Sequence, residues 1–107
     1  MLFAEVIIPL AVPNTYTYSV PEEVEGAVQR GVRVEVQFGR NRLYAGLVLR
    51  VSHEPPMYKT KPLVSVLDAH PIVNETQLRF WEWLAVYYCC YLGEVMNVAL
   101  PPDIRRR

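Results

Sequence analysis

The hydrophobic period of this chain changes near Pro71, from two residues to between three and four, and that change limits what the chain can fold into. Before it, residues 2–8 (LFAEVII), 15–20 (TYTYSV), 31–38 (GVRVEVQF), 43–51 (LYAGLVLRV) and 62–67 (PLVSVL) are short and rich in Val, Ile, Leu and Tyr. Pro, Gly and Asn separate them, as expected of strands. In the third segment Val32, Val34, Val36 and Phe38 share one face while Arg33, Glu35 and Gln37 share the other, which predicts a half-buried strand. Five such segments in under 70 residues predict a small, curved, antiparallel, barrel-like sheet.

Beyond Pro71 the pattern is helical. Asn74 with Gln77 three residues later predicts a capped helix start, and Glu75 suits the positive end of a helix dipole. Leu78, Trp81, Leu84 or Ala85, and Tyr88 then recur at spacings of three and four, which predicts a main helix over 75–90. Gly93 is the expected interruption, and residues 94–100 read as a second, shorter helix stopped by Pro101 and Pro102. Trp81, Trp83, Tyr87 and Tyr88 read as an aromatic face laid on the sheet, in preference to a base-stacking platform. The expected class is mainly β with C-terminal helices (α+β): one domain over 1–107, β-rich over 2–67 and helical over 74–100.

Several functions are excluded or disfavoured. With 107 residues, half of them apolar and a formal net charge of zero, the chain is expected to be a folded soluble domain with one core. MLFAEVIIPLAVP has no basic start and contains Glu5 and two prolines, unlike a signal peptide. WLAVYYCCYL is about half the length of a membrane span. The two cysteines, Cys89 and Cys90, are neighbours on an apparent helix, where a bridge between them would be strained, and His53 and His70 lie far from them. Two thiols in a reducing compartment, and no metal site, are expected. No Walker loop, G-x-S-x-G or H-E-x-x-H occurs, so no catalytic residues are assigned and the chain is not expected to be an enzyme on its own.

The distribution of charge is more informative than its sum. Between Arg30 and Lys61 seven basic residues face two acidic ones, Glu35 and Glu54, so the basic excess falls on the middle hairpin and on the Pro-rich loop HEPPMYKTKP. An anionic partner is expected there. At the hairpin tip Gly39 or Asn41 supplies a residue tolerant of positive φ, whereas Arg40 and Arg42 serve either solubility or contact with that partner.

PNTYTYSVP (13–21), GVRVEVQFGRNRLYAGLVLRV (31–51), VSVLDAHPIV (64–73) and WEWLAVYYCCYLGEVMNVALP (81–101) together resemble the amino-terminal domain of the PriA family, the primosomal replication-restart helicases also called primosomal protein N′. The resemblance runs almost end to end. It implies a DNA-binding module that recognises the free 3′ end of the nascent leading strand at a stalled fork, for replication restart and primosome assembly. Carried over by position, the end-binding residues are Tyr16, Thr17, Gly39 and Lys61, with Arg40 and Arg42 beside them as weaker contacts to the DNA backbone. The chemistry suits the task. Tyr16 can stack on any base, Gly39 lets a nucleotide approach the backbone, and Lys61 can reach a phosphate or a base acceptor.

The chain departs from the family at three places. Thr17 stands where Asp is usual, replacing a charged acceptor by a hydroxyl; Gln37 stands for a usual Pro, and Cys89 with Cys90 for a usual His pair. Neither of the last two is expected to touch the pocket. The resemblance further implies a longer cytoplasmic parent following Arg107, an ATP-dependent 3′-to-5′ helicase whose ATP, Mg and Zn belong to other domains, with no cofactor in this one. Implied partners are forked DNA, 3′ ends and strand junctions, the remaining helicase domains and primosome proteins, with no membrane. The alternative from another class is a protein-interaction module that docks its aromatic helix onto a helicase core or another replication protein.

Overall fold

The computed structural model describes residues 1–40 and 42–100. Asn41, the alternative turn residue, and the helix stops Pro101 and Pro102 lie outside them. Five strands, β1 (Leu2–Ile7), β2 (Tyr16–Val20), β3 (Arg33–Gln37), β4 (Leu43–Ser52) and β5 (Ser65–Val66), precede two helices, α1 (Glu75–Tyr87) and α2 (Leu92–Ala99). The strands form one sheet in the order β2-β1-β4-β3-β5, with every pairing antiparallel. The architecture is the expected one, mainly β with C-terminal helices.

A short run of chain curls the sheet. Residues 61–63 lie along the outer edge of β2, where Ser19 N–H donates to Lys61 O at 3.0 Å and Leu63 N–H donates to Ser19 O at 3.1 Å. Immediately afterwards β5 pairs with β3 on the other side of the sheet. The same run of chain therefore spans both edges and leaves little of either open to another strand. Between Glu5 and Val6 the β1–β4 register shifts by one residue, a bulge that adds local bend.

Alternation along the central strands fills two hydrophobic clusters, one on each face of the sheet, where a single core was expected. Ala4, Val6, Ile8, Tyr18, Val20, Val34, Val36, Val48 and Leu63 line the inside of the curl. Ile7, Leu47 and Leu49 point the other way, onto Val73, Leu78, Trp81, Val95 and Met96. Both faces of β1 and β4 are thus covered. This corrects the reading of β3: Glu35, expected on a solvated face, is only 2% exposed, and Ser65 Oγ donates to its Oε1 at 3.2 Å.

The helix start follows the sequence, because Gln77 N–H donates to Asn74 Oδ1 at 2.8 Å and Asn74 N–H donates to Gln77 Oε1 at 2.9 Å. The helix end does not. α1 stops at Tyr87, and Cys89 adopts φ 54° while Cys90 N–H donates to Ala85 O and Cys89 N–H donates to Val86 O. That is a Schellman cap with cysteine in the position glycine usually takes. Gly93, expected to break the helix, lies inside α2, where a Cβ would come within 2.1 Å of Ile8 O, so α2 can sit directly on the chain after β1.

The aromatic face is also corrected. Trp81 is buried with Leu78, but Trp83 is 55% exposed, Tyr87 64% and Tyr88 67%. Phe80 joins them on the outer side of α1: its ring stacks on Trp83 at 6.0 Å and 11°, and Trp83 stacks on Tyr87 at 4.9 Å and 15°. Positions 80, 83 and 87 repeat at helical spacing as regularly as 78, 81 and 85, so periodicity alone gave two candidate stripes and packing chose the second.

Candidate functional site

Three segments distant in sequence meet at one end of the curled sheet. Strand β2 brings Tyr16, Thr17 and Tyr18; the end of β3 and the turn after it bring Gln37, Phe38 and Gly39; the Pro-rich loop brings Tyr58, Lys59 and Lys61. Between them is a half-open cavity of about 170 Å³. Drug-sized sites run to roughly 300–1,000 Å³, so this one suits a single flat ring with part of its substituent.

Local geometry explains each wall. In an antiparallel strand the N–H and C=O of alternate residues point to the same edge. Ser19 uses its pair to hold Lys61 and Leu63, and Thr17, two residues earlier, presents its own to the cavity. There Tyr58 replaces a backbone partner, its hydroxyl oxygen accepting Thr17 N–H at 2.9 Å. Gly39 has φ 73°, in the left-handed region that favours glycine, and a Cβ built on it would meet nothing within 4 Å. The turn therefore wants glycine for its backbone conformation, and the space beside it is open.

Tyr16, Thr17, Gly39 and Lys61, named from sequence, all line this cavity. Arg40 and Arg42 lie exposed on the adjoining tip, outside the lining. Of the alternating tyrosines, Tyr18 is the buried one: its hydroxyl donates to Gln37 O at 2.9 Å, and burial, with Tyr58 and Tyr16 nearby, pushes its pKa up to about 12. Tyr16 packs edge-on against Phe38 at 4.7 Å. Gln37, expected away from the pocket, is part of its wall. Sequence reading missed Tyr58, although an aromatic beside two lysines in a long Pro-rich loop is the kind of signal that could have found it.

Ion pairing sharpens the charge argument. Arg30 pairs with Glu75, Arg33 with Asp68, and Arg50 with Glu5 and Glu82. Burial pushes the Asp68 carboxyl up, but the hydrogen bonds and charge of Arg33 outweigh it and hold the pKa below its ordinary value. The charges of these three arginines are thus already matched by carboxylates. Arg40, Arg42, Lys59 and Lys61 make no ion pair among the described residues, so the free positive charge lies on the segments that form or adjoin the cavity. A larger cavity of about 290 Å³ has, among the described residues, Arg50 as its one cationic lining residue, already held between Glu5 and Glu82, and suits a polyanion poorly.

Among the described residues no group of three or more His, Cys, Asp or Glu could hold a metal ion, and no helix is long and apolar enough to cross a membrane.

Fold and site together define a small curled β-domain with an aromatic-walled cavity that Lys59 and Lys61 help to line. Residues 5–101 match the PriA 3′ DNA-binding domain (3′BD), and the chain belongs to that family. It is 30% identical over 106 residues to the replication restart protein PriA of Haemophilus influenzae, covering 98% of this chain and 14% of that protein. With the replication restart protein PriA of a Synechocystis species it shares 34% identity over 97 residues, 88% of this chain and 11% of the relative. With that of Bacillus subtilis it shares 25% over 112 residues, the whole of this chain and 14% of the relative. The chain thus spans about a seventh or less of the length of these relatives.

Proposed function

We propose that this chain binds DNA in replication restart, and that it does so by taking the free 3′ end of a strand into the Tyr16–Thr17–Gly39–Lys61 pocket. The observation that carries this reading is the convergence of those residues, from three separate segments, on one small cavity edged by free cations. Stacking on an aromatic wall is worth about 1–3 kcal/mol per base and is indifferent to sequence. Lys61 and Lys59 offer point charges to the last phosphate, and Arg40 with Arg42 steers the preceding chain toward the opening. Thr17 supplies a hydroxyl where the family's usual carboxylate would stand.

An oligonucleotide titration tests the reading. A strand ending in a 3′-hydroxyl should bind better than the same strand ending in a 3′-phosphate, measured by anisotropy at one salt concentration. The phosphate adds about 1.5–2 negative charges, so simple attraction to a basic surface would reverse the preference. Equal or reversed affinity rejects end recognition and leaves a basic surface alone.

The wider setting belongs to the same proposal. Fork rescue at the bacterial nucleoid, ATP-dependent helicase activity with its ATP, Mg and Zn, and contacts with primosome proteins belong to a longer polypeptide of the relatives' kind. A second reading has its own observation, the exposed Phe80–Trp83–Tyr87 ladder. Because the matched region is 14% of the Haemophilus protein, the occupant argued for is the remainder of such a polypeptide, docking on α1 while the pocket holds DNA.

A further inference from the structure

We infer that Tyr58 is a specificity-determining residue of this pocket, its phenol hydroxyl donating a hydrogen bond to the free 3′ oxygen of the terminal sugar. The inference rests on the reading that a strand end enters the cavity, and adds a residue and an atom to it.

The outer edge of β2 carries the argument. At Ser19 both outward backbone groups are engaged by the loop backbone, through Lys61 O and Leu63 N–H. At Thr17 the loop backbone has moved away and the Tyr58 oxygen takes the amide instead, at 2.9 Å. A phenol has one hydrogen to give and lone pairs to receive with. Here a lone pair is occupied by Thr17, and the hydrogen has no acceptor among the described residues. Accepting one bond polarises the O–H and makes it a better donor. Tyr58 is 52% exposed and lines the cavity with Lys61, so that hydrogen is available to whatever enters.

Of the other donors lining the site, the Tyr16 and Thr17 hydroxyls and the Gln37 amide are neutral but are fixed by no hydrogen bond among the described residues, whereas the Tyr58 oxygen is held by the Thr17 amide. The Tyr18 hydroxyl already donates to Gln37 O, and burial keeps it protonated. Lys59 and Lys61 carry charge, and charge favours phosphate wherever it lies along the strand. A neutral donor held by a backbone amide at a fixed place reads a neutral acceptor. The neutral acceptor that a terminal nucleotide has and an internal one lacks is its free 3′-hydroxyl.

The test uses three versions of one labelled strand, ending in a 3′-hydroxyl, a 2′,3′-dideoxy sugar or a 3′-phosphate, against the wild type and Tyr58→Phe. The dideoxy end removes the oxygen without adding bulk or charge. Wild type should prefer the hydroxyl end to the dideoxy end by about 3–10-fold, the range of one neutral hydrogen bond. Tyr58→Phe should bring that ratio to about one by losing affinity for the hydroxyl end alone. An equal loss for both ends would make Tyr58 a mere support for the loop and overturn the inference, as would a wild-type ratio kept by Tyr58→Phe. If wild type separates hydroxyl from phosphate but not from dideoxy, end recognition stands and the role of Tyr58 falls. If wild type separates neither, end recognition itself fails.

Discussion

Two aromatic clusters on this molecule look alike in composition and differ in every physical respect that matters. The pocket draws Tyr16, Tyr18, Phe38 and Tyr58 from three segments brought together by the sheet. The ladder on α1 takes Phe80, Trp83 and Tyr87 from a single helix. In the pocket two of the three phenols carry defined hydrogen bonds, Tyr18 donating to Gln37 O and Tyr58 accepting from Thr17 N–H, and lysines without an ion pair among the described residues line the same cavity. On the ladder the rings lie face to face, within 15° of parallel, with Trp83 between Phe80 and Tyr87, and among the described residues no lysine or arginine stacks on them. A base needs an open ring face and a cation for its phosphate; a protein surface needs area. The first cluster suits a nucleotide and the second suits a polypeptide.

The contrast can be broken by substitution. Lys61→Ala should lower affinity for a 3′-hydroxyl strand by about 10–100-fold, the range of a charge-assisted hydrogen bond, while Trp83→Ser should change it by less than about twofold. A comparable loss in both variants would place DNA on the helix as well. Next in size is Tyr18→Phe, which should cost about 1–2 kcal/mol of folding stability in urea melts, because Gln37 O loses its buried donor. The same variant carries a pH signature. Unfolded tyrosine releases its proton near pH 10, whereas Tyr18 in the fold is pushed up to about 12. Its contribution is therefore complete below pH 10 and is lost as pH rises toward 12, and Tyr18→Phe should remove that part of the decline.

The smaller effects sharpen the comparison. Cys89→Gly should raise stability by about 0.5–1 kcal/mol by relieving a left-handed backbone at the end of the ladder helix, with DNA affinity unchanged in the same titration. Changing Arg40 and Arg42 together to Ala should reduce the salt slope of single-strand binding by about 1.4 at most, with stability altered by less than about 0.5 kcal/mol. A large loss of stability there would mean that the tip arginines are structural.

Sequence pattern foretold the strands, the Asn74 cap and the position of the first helix because each is encoded within a few residues. It also led, through a nearly end-to-end resemblance, to four residues that line one cavity. What it could not carry were choices made by packing. Two stripes of α1 repeat at the same spacing, and only the hydrophobic far side of the sheet selects Leu78 and Trp81 over Phe80 and Trp83. Glu35 alternates correctly and is buried all the same, with β5 paired beside it and the Ser65 hydroxyl bonded to its carboxylate. Tyr58 sits in a loop without periodicity, and its partner Thr17 lies 41 residues away. The basic excess was legible as a total, but which arginines were already engaged depended on carboxylates from β1, α1 and the chain around Asp68.

The run of chain that joins the two edges of the sheet also brings Lys61 to the wall of the cavity, so loosening this closure would disturb the cavity as well. Along β2 this closure consists of two backbone hydrogen bonds at Ser19 and one side-chain bond at Thr17, so local opening is expected there before the strands separate elsewhere. On the proposed reading, a strand end seated against Tyr16, Thr17 and Lys61 would favour the closed form. By mass action it would add up to about 2.7 kcal/mol to closure at a hundred times its Kd. If the proposed strand end binds there, the amides of Ser19 and Leu63 should exchange more slowly in its presence, and the clasp that closes the sheet would stiffen with its ligand.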